Sequence, residues 1–401
     1  MKDPLSPIDS DAPRFTAGLQ LLFATACGVM VANIYYAQPL VALIAPDLGI
    51  SEHAAGVVVT TAQLGYAAAL LLLTPLADIL ESRKLVLSLT CMTILALLGA
   101  TFARSSTLFL ACSFVIGMGS TGAQVLVPLA SHFVSDQARG RVIGNVVAGL
   151  LAGIMLARPL ASFVADHWGW RAIFALSAAM MSIMGLLLLR ALPGRKPEPG
   201  LRYGPMLVSI GRLFVVHPEL RWRTACQVLA FATFQLFWTA VPLILADKFH
   251  LSQSGIALYA LAGASGALSA PLAGRLADRG LSRPTMWTAF AGLVLAFALT
   301  GWSAVALSVT GFVLAAILLD AAVQANLIVS QRANYGLDPT ARGRINAGFM
   351  TSIFIGGASG SFLGALLYTA GGWSWVAMTG AALGCMALAL LALEHRRPRH
   401  P

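Results

Sequence analysis

Charge is scarce in this chain. Only 10% of its 401 residues are Asp, Glu, Lys or Arg, against roughly 25% in a soluble domain. A soluble protein of this length could not cover its surface with so few charges. With 58% of the residues hydrophobic, lipid must be the solvent for much of it. Acidic residues are the scarcest, 16 against 26 basic, giving a formal charge of +10. That excess does not point to nucleic acid. The basic residues sit in short segments between apolar runs, with no basic stripe and no interleaved aromatic platform. The five cysteines, Cys27, Cys91, Cys112, Cys226 and Cys385, lie inside apolar runs and never in CxxC spacing. They read as small buried hydrophobes and imply neither a disulfide framework nor a metal site. The seven histidines are scattered at run ends and tails, none in metal spacing, and no nucleotide-binding loop is visible. An enzyme, a cofactor and ATP as energy source are therefore not expected. The first 14 residues are polar and include Asp3, Asp9 and Asp11, unlike the basic start of a secretory signal.

What the chain does have is long apolar runs. About 20 apolar residues cross a bilayer core, and twelve such runs lie near 17–45, 54–77, 85–103, 107–132, 142–165, 171–192, 221–246, 254–277, 285–302, 304–331, 345–369 and 373–393. The one long polar interval, 193–220, is rich in Pro, Gly and Arg. It reads as a linker between two six-helix halves, 17–192 and 221–393, with tails at 1–16 and 394–401. Placing the N-terminus in the cytoplasm puts 22 basic residues in cytoplasmic segments and three, Arg104, Arg171 and Lys248, outside. That asymmetry predicts cytoplasmic termini and an even number of spans.

The two halves are copies. Ala138-Arg139-Gly140-Arg141 recurs as Ala341-Arg342-Gly343-Arg344, 203 residues later. The same offset, without a gap, superimposes Gly153 on Gly356, Gly169 on Gly372 and Trp170 on Trp373. A duplicated hydrophobic chain suggests a transporter made of two homologous bundles.

The loop motifs carry a family resemblance. Thr74-Pro75-Leu76-Ala77-Asp78-Ile79-Leu80-Glu81-Ser82-Arg83-Lys84 lies between spans 2 and 3, and Gly274-Arg275-Leu276-Ala277-Asp278-Arg279 between spans 8 and 9. Both resemble the G-x-L-a-D-R signature of the major facilitator superfamily, in the loops where that family places it. Asn33-Ile34-Tyr35-Tyr36-Ala37-Gln38-Pro39 and Asp320-Ala321-Ala322-Val323-Gln324 resemble an efflux branch of its twelve-span drug:proton antiporters. The chain departs from that group in three places. Thr74 replaces a Gly in the first loop motif. Ser113 stands where such antiporters carry an Arg in span 4, and Arg158 precedes Pro159 where they carry Gly. The resemblance implies an all-α membrane protein, with twelve transmembrane helices in two pseudo-symmetric six-helix bundles.

The latch residues are read from their place at helix ends. Asp78 and Asp278 sit beside Arg83, Lys84 and Arg279, where a carboxylate can pair with an Arg or a helix N-terminus. They are expected to latch one conformation on the cytoplasmic side. Arg139, Arg141, Arg342 and Arg344 are either further clamps or topology signals alone.

Inside the membrane the charges thin to two. Asp320 is the one acidic residue well within a span, and such a charge usually faces a cavity and carries a function. A carboxylate alternating between dry and wet surroundings can load and release a proton, so Asp320 is the candidate for proton coupling or cation binding. The other reading is a structural carboxylate. Arg158 in span 5 either meets a substrate carboxylate, gates the outer cavity or snorkels outward. From the sequence spans, the depths of Arg158 and Asp320 differ by roughly 12 Å at about 1.5 Å per residue, which favours two separate roles. The resemblance implies a cavity lined by spans 1, 4, 7 and 10. Its candidates are Asn33, Tyr36, Gln38, Gln124, Gln227, Phe231, Phe234, Gln235, Trp238, Gln324 and Asn326, with Asn346 from span 11. The span 7 set recurs on one helical face. Helix–helix hydrogen bonding would also use the amides. Amides and aromatics suit an amphipathic or aromatic solute.

The sequence thus predicts a monomeric inner-membrane antiporter, with protons as coupling ion, that exports a small amphipathic molecule. Uptake or facilitated diffusion of a small organic anion is the alternative. A channel fits less well, because a two-fold repeat with latches suits alternating access better than an open pore.

Overall fold

The computed structural model describes residues 16–131, 133–134, 136–194, 202–338 and 340–396. The expected tails lie almost wholly outside this range, as does part of the polar interval. Among the described residues nine helical stretches are long and apolar enough to cross a bilayer. One of them is two crossings. Gly371 and Gly372 leave helical geometry inside Arg342–Arg396 and divide it into span 11 (342–370) and span 12 (373–396). Two more crossings are broken helices. Span 1 (17–47) joins Ala17–Ala32 to Val41–Asp47, and span 8 (253–278) joins Gln253–Ala264 to Ala270–Asp278. The others are span 2 (Glu52–Asp78), span 3 (Ser82–Thr101), span 4 (106–131), span 5 (Asp136–Trp168), span 6 (Trp170–Ala191), span 7 (Pro218–Asp247), span 9 (Ser282–Val305) and span 10 (Val309–Tyr335). The expected twelve helices are all present. Exposed leucines such as Leu95, Leu186, Leu258 and Leu295 cover their outer faces, as a lipid environment requires.

The internal repeat is built into the geometry. Ser105 and Ser308, 203 residues apart, each cap the helix they begin, accepting from the N–H of Leu108 at 3.3 Å and of Gly311 at 3.1 Å. A serine there satisfies one of the helix's unpaired N–H groups. Phe109 and Phe312 then meet Trp170 and Trp373 edge-on, with ring centres 5.5 and 4.9 Å apart. Gly169 and Gly372, at φ +80° and +65°, make the turns before those tryptophans in a conformation that costs glycine little.

Close packing sets the distances between spans. A side chain on Gly153 in span 5 would overlap the backbone of Gly28 in span 1, and one on Gly360 in span 11 would overlap Ala232 in span 7. Small residues let membrane helices approach until backbones touch.

With twelve crossings, the described ends of the chain and residues 193–194 and 202–217 share one side, here the tail side. The halves meet mainly on the opposite, far side. There the Thr60 hydroxyl donates to Ala358 O (3.0 Å), Gln63 Nε2 to Ser361 Oγ (2.9 Å) and the Ser254 hydroxyl to Asp166. The tail-side segments Gly122–Ser131 and Ala270–Asp278 pack chiefly within their own bundles.

The polar interval also holds a helix that the sequence reading treated only as linker. Tyr203–Val216 packs Ile210 and Phe214 against Gly348 at the start of span 11.

Candidate functional site

Span 1 stops being helical at Asn33, and that break builds one wall of the site. Asn33 Nδ2 donates back to the carbonyls of Val29 (3.0 Å) and Met30 (3.2 Å), taking up helix-end acceptors. Pro39 has no N–H to continue the ladder. The chain re-enters helix with Gln38 pointing between the halves. The Gln38 Oε1 accepts from Arg158 Nε at 2.8 Å, and its Nε2 donates to Gln235 Oε1 at 3.0 Å and Thr239 Oγ1 at 3.4 Å. One amide therefore ties spans 1, 5 and 7 together.

Arg158 is buried, with a relative exposure of 3%. Its guanidinium carbon lies 4.4 Å from the ring centre of Trp238, 5.1 Å from Tyr35 and 5.2 Å from Phe234. Aromatic faces stabilise a desolvated cation through the ring quadrupole. Among the described residues Arg158 Nη2 has no hydrogen-bond partner, and neither has Gln235 Nε2. Trp238 reaches the other charge: its indole N–H donates to Asp320 Oδ1 at 2.8 Å. Asp320 is itself buried. The link between Arg158 and Asp320 runs through this ring rather than through a direct salt bridge.

Arg158 and Asp320 thus share one site, which corrects the separate depths read from the sequence. The reason lies in the helix ends. Ser308 caps span 10, so it starts at Val309 rather than at 304. Span 5 extends to Trp168 rather than 165. Arg158 and Asp320 then lie about 15 and about 17 Å from the far ends of their helices.

The other sequence candidates divide. Phe231 and Phe234 stack at 5.5 Å, with Phe354 5.1 Å from Phe231, and with Trp238 they continue the aromatic wall. Gln124 donates to the Tyr66 hydroxyl at 3.0 Å, beside Phe354, which is 4.5 Å from Tyr66. Gln324 is half-buried. Asn33 is engaged away from the charged pair. Asn33 Oδ1 accepts from Ser177 in span 6 at 2.5 Å, and Tyr36 is buried in the core. Gln227 and Asn326 bond each other at 2.5 Å, as a seam between spans 7 and 10. Asn346 takes the Tyr335 hydroxyl at 2.9 Å near the tail side. The sequence reading passed over Tyr35, Thr239, Gln63 and Ser361. Tyr35 lay in the quoted span 1 motif, but the helix break there defeats helical periodicity.

At the tail side Asp278 pairs with Arg332 of span 10. Arg83 donates to Leu189 O at 2.5 Å, and Lys84 pairs with Glu81 at 3.0 Å. Arg342 donates to Tyr335 O (3.1 Å) and Arg344 to Ser209 Oγ (3.0 Å). Asp78 and Arg139 are engaged in contacts of their own, and Arg141 and Arg279 are exposed.

This arrangement sets two opposite charges around one indole between the two bundles. The chain is 40% identical over 379 residues to the uncharacterized transporter YgaY of Escherichia coli O157:H7, covering 94% of this chain and 95% of the relative. It is 33% identical to the probable transporter SCO4007 of Streptomyces coelicolor, with 94% and 87% covered. A 27% match spanning 47% of each chain links it to the purine ribonucleoside efflux pump NepI of Escherichia coli O1:K1 / APEC. Among solved structures, the nucleoside transporter NupG superposes with a TM-score of 0.75 at 15% identity, covering 95% and 100%. The D-xylose-proton symporter superposes with 0.76 at 14%, covering 94% and 97%. The family model of the Major Facilitator Superfamily matches residues 21–331 and 223–401. The chain belongs to the major facilitator superfamily and is a multi-pass membrane transporter of small molecules.

Proposed function

We propose that this protein is a proton-coupled antiporter that exports an uncharged or amphipathic aromatic molecule across a bacterial inner membrane by alternating access. The observation that carries the reading is Asp320, buried between the halves and held by Trp238, itself beneath Arg158. An intramembrane carboxylate is costly and usually carries a function. Here it hydrogen-bonds the side chain that also forms the aromatic wall. A proton and a solute that needs the ionised carboxylate then compete for one place, which is the requirement for exchange. NepI, an efflux pump by its name, supports the outward direction.

The halves 17–192 and 221–393 act as the rocking units. The excess of basic residues on the tail side supports a cytoplasmic location for it. Far-side closure through Gln38–Gln235, Gln63–Ser361 and Ser254–Asp166 supports an inward-directed state. The Asp278–Arg332 pair and the Arg344–Ser209 contact are candidates for tail-side latches.

The test is substrate-triggered proton flux in proteoliposomes, wild type against Asp320→Asn. The mutant, a neutral mimic of the protonated carboxyl, is expected to lose both gradient-driven transport and substrate-triggered proton flux. Full gradient-driven transport in the mutant would sink the reading.

A further inference from the structure

The charges in the site limit what can bind beside them. The structure assigns Arg158 as a charge filter that restricts this transporter to electrically neutral aromatic solutes carrying both a hydrogen-bond donor and an acceptor. The assignment rests on the antiport reading above.

Three observations lead there. First, the three ring faces that would hold a lipophilic cation, those of Tyr35, Phe234 and Trp238, already surround the guanidinium of Arg158. A cationic solute reaching Asp320 would place a second positive charge around the same indole, in a site where Arg158 is 3% exposed. Burying an unpaired charge costs far more than burying a hydrogen-bonded neutral group.

Second, the free donors are unpartnered and buried. Arg158 Nη2 and Gln235 Nε2 stand at two ends of one chain, Arg158 to Gln38 to Gln235. Both call for an acceptor oxygen or nitrogen on the solute, since a buried donor left unmade is costly. Asp320 is bonded through Oδ1 by Trp238, and its second carboxylate oxygen is a further acceptor. That oxygen can accept from a solute N–H or O–H while the carboxylate is ionised, and cannot serve that donor in the same way once protonated.

Third, the two charges sum to zero. An anion gains most when Asp320 is protonated and Arg158 stands uncompensated. It would therefore travel with the proton rather than against it, and would short-circuit exchange. Only a neutral solute competes with the proton without adding charge. The other ionisable groups packed around the pair, Tyr35 of span 1 and Tyr259 of span 8 beside Trp238, are phenols that add no charge. The stacked Phe231 and Phe234 supply an apolar platform for a planar ring.

The experiment uses three probes of one shape: 2-naphthylacetamide, 2-naphthylacetate and 2-(2-naphthyl)ethylammonium. Their binding to the purified full-length protein is measured by calorimetry in two buffers of different ionisation enthalpy, so that proton release is read with affinity. The amide is expected to bind at least roughly 10-fold tighter than either ion, a difference of about 1.4 kcal/mol, and to release protons on binding. Arg158→Gln should narrow the gap to the ammonium probe by about 10-fold. Arg158→Lys, which keeps the charge without the fork, should preserve the ranking against the ammonium and weaken the amide. Equal affinity for all three, tighter binding of either ion, or no binding of the amide at millimolar concentration overturns the assignment. So does an unchanged ranking in Arg158→Gln. Amide selectivity without proton release would leave the filter standing and remove the antiport reading instead.

Discussion

Arg158 and Asp320, charged residues buried within spans 5 and 10, are joined through the indole of Trp238 and not by a salt bridge. The ring lies 4.4 Å from the guanidinium carbon and donates to the carboxylate at 2.8 Å. One side chain therefore senses both charges. A solute or proton that disturbs Asp320 is felt by the ring that holds Arg158.

Trp238→Phe separates these two tasks. Phenylalanine keeps an aromatic face under Arg158 and deletes the donor to Asp320. A hydrogen bond to a charged group contributes about 1.5–3 kcal/mol. Gradient-driven transport is expected to fall roughly 10-fold or more, while the thermal unfolding temperature in detergent drops by only a few degrees. Trp238→Ala removes both interactions and should abolish transport. Equal rates in Trp238→Phe and wild type, measured in the same liposomes, would show that the indole N–H has no part in coupling.

Much of this was legible in the sequence because lipid imposes simple rules. Long apolar runs, scarce charge and the 203-residue repeat lead to twelve spans in two bundles, and Asp320 and Arg158 stand out as charges where charge is rare. Their proximity was not legible. It depends on where span 10 begins, and that is set by the Ser308 cap within an apolar stretch that hydropathy cannot divide. The amides mislead for a related reason. Asn33, Gln227 and Gln38 have the same chemistry, yet Asn33 closes a helix end, Gln227 bonds Asn326 and Gln38 holds Arg158. Only packing distinguishes them. The helix Tyr203–Val216 is short and interrupted by Gly and Pro near its start, so composition alone read it as linker.

The Gly153–Gly28 contact sets the distance between spans 1 and 5, and hence the reach of Arg158 toward Gln38. Any side chain at Gly153 would overlap the Gly28 backbone. Gly153→Val should cost about 1–3 kcal/mol as overpacking and lower the yield of folded protein. Gly144→Val on the same helix meets open space and should leave stability unchanged or raise it by a few tenths of a kcal/mol, roughly the difference in helix propensity. Size-exclusion profiles and thermal unfolding of the pair decide this. Equal stability of the two variants would argue against backbone contact there.

The Asp278–Arg332 pair lies at the tail-side ends of spans 8 and 10 with both side chains about half exposed, at 54% and 55%. Pairs so exposed contribute about 0–1 kcal/mol, so Asp278→Asn should leave the unfolding temperature within about 2 °C. If the pair latches one conformation, the turnover rate should still change several-fold, and Arg332→Gln should give the same change. The double variant should add nothing. Additive effects of the two substitutions would show that the residues act independently.

The helix Tyr203–Val216 touches both bundles. The Tyr203 hydroxyl donates to Leu72 O in span 2 at 2.8 Å. Arg344 of span 11 donates to Ser209, and Ile210 and Phe214 rest on Gly348. A leucine introduced in place of Gly348 would occupy the space of those two side chains and lift the helix away from span 11. Arg212 lies on this helix, exposed but held in regular backbone. Backbone in a docked helix resists proteolysis until it opens locally. Gly348→Leu should therefore speed trypsin cleavage at Arg212 roughly 10-fold or more, whereas Arg344→Ala, which removes one hydrogen bond of about 1 kcal/mol, should speed it by about 5-fold. Mass spectrometry of the first fragments reads both. If cleavage at Arg212 is as slow in Gly348→Leu as in wild type, the helix is stable without span 11, and its contact with the bundle is incidental to its fold.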